Sequence, residues 1–226
     1  MKSTRPTTDA ERNAEARAKW LNPATQEAPK ASLPRTLASS TYDVGSTRWL
    51  KLQTQVYLDK SGCDRKWDRV VRTTKLADDV SDAVAIMATV RVGGEEKILA
   101  VKQFRPPINA FTVELPAGLI DEGETAGQAA KRELLEETNY EGFVTSVGPA
   151  VFLSPGLTNE SVRVVRMQIE GEGGGVKEES EVGRGLEVVL LRKKELLEDL
   201  MLLEKQGVKS FGMLYTLAIG LEMGGV

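Results

Sequence analysis

An α+β domain, a mixed and curved sheet sandwiched by helices, is the fold that the sequence predicts, and three observations carry that expectation. Short runs with a two-residue apolar period recur from Trp49 to Leu191, only a few segments hold a helical period, and glycine or proline punctuates most of the junctions. Composition agrees: 41% hydrophobic beside 28% charged residues in 226 is that of a globular chain, one domain or one domain with an extension. A formal net charge of −3 gives no basic footprint for nucleic acid. No apolar run nears the roughly 18–20 residues that cross a bilayer, so no membrane partner is expected. The N-terminus lacks the order of a signal peptide, which points to the cytoplasm, with the nucleus as a further site. The lone Cys63 excludes an internal disulfide framework, and the absence of histidine excludes a Ser-His-Asp triad, a His-ligated zinc and an imidazole base. Acid–base work must fall to carboxylates or amines.

Taken in order, residues 1–46 hold four of the nine prolines without sustained alternation and read as an arm, partly flexible, with Asp9 to Trp20 as a short helix. Residues 47–80 read as a β subdomain: Leu50, Leu52, Val56 and Leu58 keep a strand period, Ser61-Gly62 reads as a turn, and Lys66 to Thr74 forms a second β stretch. Residues 81–226 read as the main domain. Its strands begin with Ala83 to Val92 and Lys97 to Phe104, a hairpin around Gly93-Gly94, followed by Phe111 to Leu115. Pro116-Ala117-Gly118 breaks that strand before a run of helix formers from Ala126 to Thr138. Strands follow at Phe143–Val147, Ala150–Leu153 and Ser161–Ile169. The stretch from Gly171 to Gly185 holds six of the 21 glycines among acids and reads as a mobile loop. A strand at Leu186–Leu191 and helices near Lys193–Gln206 and Ser210–Gly220 complete the chain, with Leu196, Leu197, Leu200 and Leu203 forming a core stripe.

Chemistry concentrates on the Ala126–Thr138 helix. At 100° per residue, Ala126, Ala130, Glu133 and Glu137 fall in one stripe flanked by Leu134 and Ala129. Glu133 and Glu137 are one turn apart with Glu136 beside them, a like-charge arrangement that calls for compensation. A hard divalent cation supplies it, since Mg²⁺ takes one or two carboxylates, several waters and substrate phosphates. Arg132 can pair with Glu136 at i, i+4. An acidic helix face of this kind in isolation is usually just solvated. The longer pattern changes that reading. From Gly118 the chain runs five residues to Glu124, seven more to Arg132-Glu133-Leu134, then Glu136-Glu137 and Asn139-Tyr140.

This resembles the Nudix box, G-x5-E-x7-R-E-U-x-E-E-x-G-U with U apolar, at every specified position but one. Asn139 replaces the second glycine, and Asn is the next residue most able to take the left-handed conformation that ends a helix. Ser154-Pro155-Gly156-Leu157-Thr158-Asn159 is similar to the downstream proline signature of ADP-ribose pyrophosphatases. Trp49-Leu50-Lys51-Leu52, Trp67-Asp68, Val71-Arg72-Thr73-Thr74, Val101 to Pro107 and Glu114 to Asp121 look like the eukaryotic ADP-sugar pyrophosphatases. The resemblance covers roughly Trp49 to Ile169 and implies a Nudix-type α/β/α sandwich. It also implies a homodimer with exchanged N-terminal subdomains, in which Trp49 and Trp67 stack on the adenine from the two subunits.

By the same resemblance Asp68 contacts the adenine end, Arg72 and Arg105 approach the diphosphate, and Leu119 lines the substrate. Metal falls to Glu133, Glu137, the Ala117 carbonyl and Glu136, with Mg²⁺ as cofactor and Mn²⁺ as substitute. Gly118, Glu124, Arg132 and Pro155 are structural. The implied reaction is attack of water on a phosphorus of ADP-ribose, giving AMP and ribose 5-phosphate. With no histidine, the proton acceptor is a loop carboxylate: Glu181 is chosen from Glu178, Glu179 and Glu181, with Glu179 and Glu187 left open. Alternatives are a Nudix hydrolase of another nucleoside diphosphate derivative, a non-catalytic ADP-ribose-binding module, and an organelle-targeting role for the arm. Asp9, Glu11 and Glu15 argue against that last role.

Overall fold

The computed structural model describes residues 35–172 and 185–224, and the chain divides between Val70 and Val71 into two compact units. In the first, β1 (Arg35–Ser46), β2 (Leu50–Leu58) and β3 (Asp64–Arg72, whose last two residues belong to the second unit) form a three-stranded sheet in that order, with β1 antiparallel to β2. The first of these strands lies where the sequence reads as an arm. Register shifts between Thr36 and Thr41 and between Asp43 and Gly45 break its alternation, so the two-residue period by which strands are recognised is lost. The candidate helix Asp9 to Trp20 lies outside the described residues.

Pairing assigns the faces of this sheet. Tyr42 stands opposite Thr54 and Gly45 opposite Leu52, so Tyr42, Leu50 and Leu52 share a face, and all three are exposed. The other face is polar: the Gln53 amide donates to Asp43 at 2.8 Å, Lys51 lies 3.6 Å from Asp43, and Arg69 donates twice to Gln53. The expected turn at Ser61-Gly62 forms around Asp59. One oxygen of that carboxylate accepts from the Ser61 and Cys63 amides, and Gly62 takes a φ of +79°.

The second unit is built on a mixed eight-stranded sheet. Its strands are β4 (Ala83–Val92), β5 (Glu95–Arg105), β6 (Ala110–Glu114), β7 (Ala117–Leu119), β8 (Phe143–Phe152), β9 (Ser161–Glu172), β10 (Glu187–Arg192) and β11 (Lys209–Ser210). They run β11-β6-β5-β4-β9-β8, with β10 added to β5 and β7 to β4. The pairings β4–β9 and β11–β6 are parallel and the rest antiparallel. The hairpin expected around Gly93-Gly94 is present, both glycines having positive φ. Where two short strands were expected between 143 and 153 there is one, β8, whose register slips between Val144 and Ser146 and again between Val147 and Ala150.

Helices lie on both faces. On one, α1 (Ala126–Thr138) buries Ala129, Ala130 and Leu134 against Val84, Ile86, Ala88, Leu99, Val165 and Met167. On the other, α2 (Leu196–Lys205) and α3 (Gly212–Met223) bury Leu196, Leu200 and Leu214 against Ile98, Ala100, Val113 and Leu191. Leu99 faces one core while Ile98 and Ala100 face the other, as alternation along β5 requires. β4 positions the site. Its first residues pair with β7 (Ala83 with Leu119, Ala85 with Ala117) and its last with β5, so β7 is laid along one end of the strand that α1 covers.

Candidate active site

The helix α1 spans the residues expected of it, and its ends explain why. Thr125 accepts from the Gln128 amide at 3.3 Å while the Gln128 side chain accepts from the Thr125 amide at 2.9 Å, a complete capping box. At the other end Asn139 takes the left-handed conformation, φ +57°, and its amide donates to Leu135. Asn139 therefore does what the second glycine of the box does.

Glu133 and Glu137 lie on the buried face of α1, 7% and 9% exposed, while Glu136 is exposed. Both carboxylates face β7. A Cβ built on Gly118 would stand 1.9 Å from Glu133 Cδ, so only a glycine lets this carboxylate lie against the strand. Gly118 serves by room, not by a positive φ. The Ala117 amide donates to Glu137 Oε2 at 3.0 Å. Ala117 itself is exposed, and the half-buried Leu119 packs against Ala83, Ala85 and Val162.

Arg132 is the hub of this region. Its Nε and Nη2 donate to the two oxygens of Glu124 at 3.1 and 2.9 Å, Nη2 also donates to the Leu119 carbonyl at 2.9 Å, and Nη1 donates to Glu133 Oε1 at 2.6 Å. The expected i, i+4 partner Glu136 is farther off, at 3.6 Å. A fork-shaped guanidinium holds Glu124 with two parallel bonds. Glu124 in turn accepts from the Asp121 amide at 3.1 Å, so it pins the loop between β7 and α1. Hydrogen bonding from Arg132 holds the Glu124 carboxyl below its ordinary pKa, and the bonds to Glu124 and then Glu133 hold Arg132 above its own.

A second pair stands on β5 and β6. Arg105 donates from Nε and Nη2 to the two oxygens of Glu114 at 2.8 and 2.6 Å, and the Thr112 hydroxyl donates to Glu114 at 2.5 Å. Burial opposes the charge on Glu114, but the bonds from Arg105 and Thr112 win and keep its pKa low. The charge of Glu137 is felt at Arg105. Glu114 was missed as a functional candidate. Its signal is a lone carboxylate ending the apolar strand Phe111 to Leu115, across a hairpin from an arginine.

The remaining expected residues are placed as follows. Arg72 donates from Nε to Glu160 at 2.5 Å. Pro155 sits in a turn in which the Leu157 and Thr158 amides donate to the Ser154 carbonyl. In the first unit, Trp49 and Trp67 are 55% and 49% exposed, the Arg48 guanidinium lies 4.4 Å over the Trp49 ring, and Asp68 accepts from the Thr54 hydroxyl at 2.6 Å. Glu178, Glu179 and Glu181 lie outside the described residues. Glu187, on β10, is paired with Lys102 at 2.7 Å.

As a donor set, Glu133, Glu136, Glu137 and the Ala117 backbone offer only oxygens, which suits a hard divalent cation. The cradle at Gly118 gives the Glu133 carboxylate room beside β7. Among the described residues no three acidic side chains are already gathered at metal-binding distance. Glu133 is engaged by Arg132 and Glu137 by the Ala117 amide.

Residues 82–198 match the model of the NUDIX domain. The chain is 37% identical over 177 residues to the ADP-sugar pyrophosphatase of Mus musculus, covering 76% of this chain and 81% of that protein. It is 34% identical over 186 residues to the ADP-ribose pyrophosphatase of Saccharomyces cerevisiae, covering 80% of each. An uncharacterized Nudix hydrolase of Schizosaccharomyces pombe is 36% identical over 194 residues, 84% of this chain and 94% of that protein. Among solved structures, the crystal structure of an ADP compounds hydrolase superposes with a TM-score of 0.55 at 18% identity, over 86% of this chain and 97% of that one, a likeness of fold.

Proposed function

The chain belongs to the Nudix hydrolase family, and from that premise we propose that it hydrolyses the pyrophosphate bond of ADP-ribose and related ADP-sugars to AMP and a sugar phosphate. The observation that carries this reading is the pair of buried carboxylates, Glu133 and Glu137, set against the close-approach glycine Gly118. The substrate class rests on the similarity to relatives named for ADP-ribose and ADP-sugars.

Glu133 and Glu137, with Glu136 and the Ala117 carbonyl, would hold a divalent cation, Mg²⁺ or Mn²⁺ in its place. When bound, the cation supplies acidity to a water and positive charge against the diphosphate. Arg132 fixes Glu133 and, through Glu124, the loop that leads into α1. Arg105, held by Glu114, turns its remaining N–H toward the diphosphate, and Arg72 is held for the same task by Glu160. Leu119 lines the substrate beside Gly118, and Pro155 fixes the turn of the loop before β9. Glu181 takes the proton of the attacking water.

The active species in this reading is a homodimer with exchanged N-terminal subdomains, Trp49 and Trp67 stacking on adenine from its two subunits and Asp68 reading the adenine end. The half-exposed indoles and the apolar face of Tyr42, Leu50 and Leu52 support that assembly. Turnover of ADP-ribose, ADP-glucose, GDP-mannose and an oxidised deoxyguanosine diphosphate, measured side by side, tests the substrate. A tenfold preference for the guanine compounds would reject it. Hydrolysis in ¹⁸O-labelled water, read by mass spectrometry, identifies the phosphorus attacked.

A further inference from the structure

The end of β3 and the segment between β3 and β4 are tied to the 154–160 loop and the start of β9 by polar bonds that involve no acid of the box. Arg72 donates to Glu160 at 2.5 Å, and the Asn159 amide group donates to Asp78 at 3.0 Å. At the centre is Asp82. One of its carboxylate oxygens accepts from the Lys75 ammonium at 2.8 Å and from the Ser161 amide at 2.9 Å. Its own backbone amide donates to the Ser161 carbonyl at 2.9 Å, and its carbonyl accepts from the Ile120 amide at 3.0 Å, just past β7. Lys75 also donates to the Val80 carbonyl at 3.1 Å.

This junction is costly. The Lys75 and Asp82 side chains are 8% and 1% exposed, so two full charges have left water. Ser81 Oγ, Asp82 Oδ1 and Asn159 Oδ1 are buried with no hydrogen-bond partner among the described residues. Apolar residues of similar volume often stabilise as well as a buried ion pair, so stability alone does not account for this one. What the charged pair provides is direction: the Asp82 carboxylate fixes where the Ser161 amide, and hence the loop before it, must lie. That loop carries Glu160, the partner of Arg72.

We propose that Asp82, gripped by Lys75, is a positioning residue for hydrolysis: it sets the 154–160 loop against the exit of β7 and, through Glu160, aims Arg72 at the substrate diphosphate. The proposal rests on the ADP-sugar pyrophosphatase reading for its substrate. Asp82 acts through other groups and touches neither substrate nor metal.

The test uses the full chain. Asp82→Asn keeps an acceptor for the Ser161 amide but removes the charge that faces Lys75. It is expected to raise KM for ADP-ribose about tenfold with kcat within about twofold, the pattern of binding lost equally in ground and transition states. Glu160→Gln is expected to do the same, and the double variant to be no worse than the worse single, since both act on one loop. Lys75→Arg, which keeps the charge, should stay near the parent. Without substrate, hydrogen exchange at the amides of residues 154–161 should quicken in Asp82→Asn.

A lower melting temperature with KM and loop exchange unchanged would reduce Asp82 to a purely structural residue and overturn the proposal, as would additive effects in the double variant. Should Asp82→Asn not fold, Lys75→Met against Lys75→Arg decides by the same two readings. If the parent protein turned over no ADP-sugar, the substrate reading would fail. The exchange experiment would still show whether Asp82 holds the loop.

Discussion

The box region and the three-stranded sheet treat their side chains in opposite ways. Around α1 the charged groups are already engaged: Arg132 divides its donors among Glu124, Leu119 and Glu133, Arg105 is clasped to Glu114, and Glu137 takes the Ala117 amide. In the first sheet the polar face is closed by Asp43, Gln53 and Arg69, whereas Tyr42, Leu50, Leu52 and the indole of Trp49 stand in solvent. The difference is physical. Charge placed near a reacting diphosphate must be fixed beforehand, because reorganising it during the reaction forfeits its effect. Apolar surface needs no such fixing and gains only when something covers it. On the proposed reading, one region is fixed within a single chain and the other is left to be covered by a partner or a ligand.

The sharpest way to break this contrast is at α1. Glu137→Gln keeps size and hydrogen-bonding capacity while removing one charge from the acidic stripe. It is expected to lower kcat about 10³-fold, some 4 kcal/mol of barrier, while ADP-ribose still binds by stacking, as calorimetry would record. Undiminished turnover would mean that the stripe holds no catalytic metal. Gly118→Ala comes next. Its methyl group would fall inside the Glu133 carboxylate, so the carboxylate or β7 must move by an ångström or more. A misplacement of that size costs about 10²-fold in rate. If kcat is unchanged, the close approach is incidental.

How much of this was readable in the sequence depends on how local each device is. The limits of α1 were legible because its signals are local: a run of helix formers, a stripe of small and apolar residues, and an Asn139 able to go left-handed. The hairpin at Gly93-Gly94 was legible for the same reason. β1 was not, because its bulges scramble the two-residue period, and β7 was not, because three residues carry no period. The acids of the box were placed by their spacing, yet the choice of Arg132 for Glu124, eight residues back across a loop, is not written in helical geometry. Glu114 is the extreme case. It is a charge inside an apolar strand, and its partner Arg105 is fixed only when β5 and β6 pair.

A smaller effect is expected at Arg105. With Arg105 present, the folded Glu114 carboxyl lies below its ordinary pKa, so its stabilisation is complete above the unfolded value of about 4.3 and is lost as pH falls through the folded one. In Arg105→Met, burial remains and Thr112 alone opposes it. The folded pKa should then rise above the unfolded value, and Glu114 should contribute stability at low pH that is lost as pH climbs. The cost near pH 7 is about 2 kcal/mol, less than for a fully buried pair because Arg105 is partly exposed. Urea unfolding from pH 3 to 7 should show the difference between variant and parent widening upward. A constant difference would mean that Glu114 does not depend on Arg105 for its charge.

The smallest effects belong to the first sheet, and they separate covering by ligand from covering by a partner. Trp49→Ala removes one face from the proposed adenine stack. Base–aromatic stacking is worth about 1–3 kcal/mol, so KM should rise about tenfold, with kcat near the parent and the assembly unaltered. Leu52→Ser alters the apolar face without touching an indole. Because Leu52 is exposed in the single chain, the fold of that chain should change by no more than about 0.5 kcal/mol. A weakened dimer in sedimentation at micromolar concentration, with unfolding otherwise as in the parent, would assign that face to a second copy. If the mass stayed the same and only KM rose, the ligand would be its cover. If neither moved, the exposure of Tyr42, Leu50 and Leu52 would be ordinary surface, and the contrast between the two regions would reduce to the indoles.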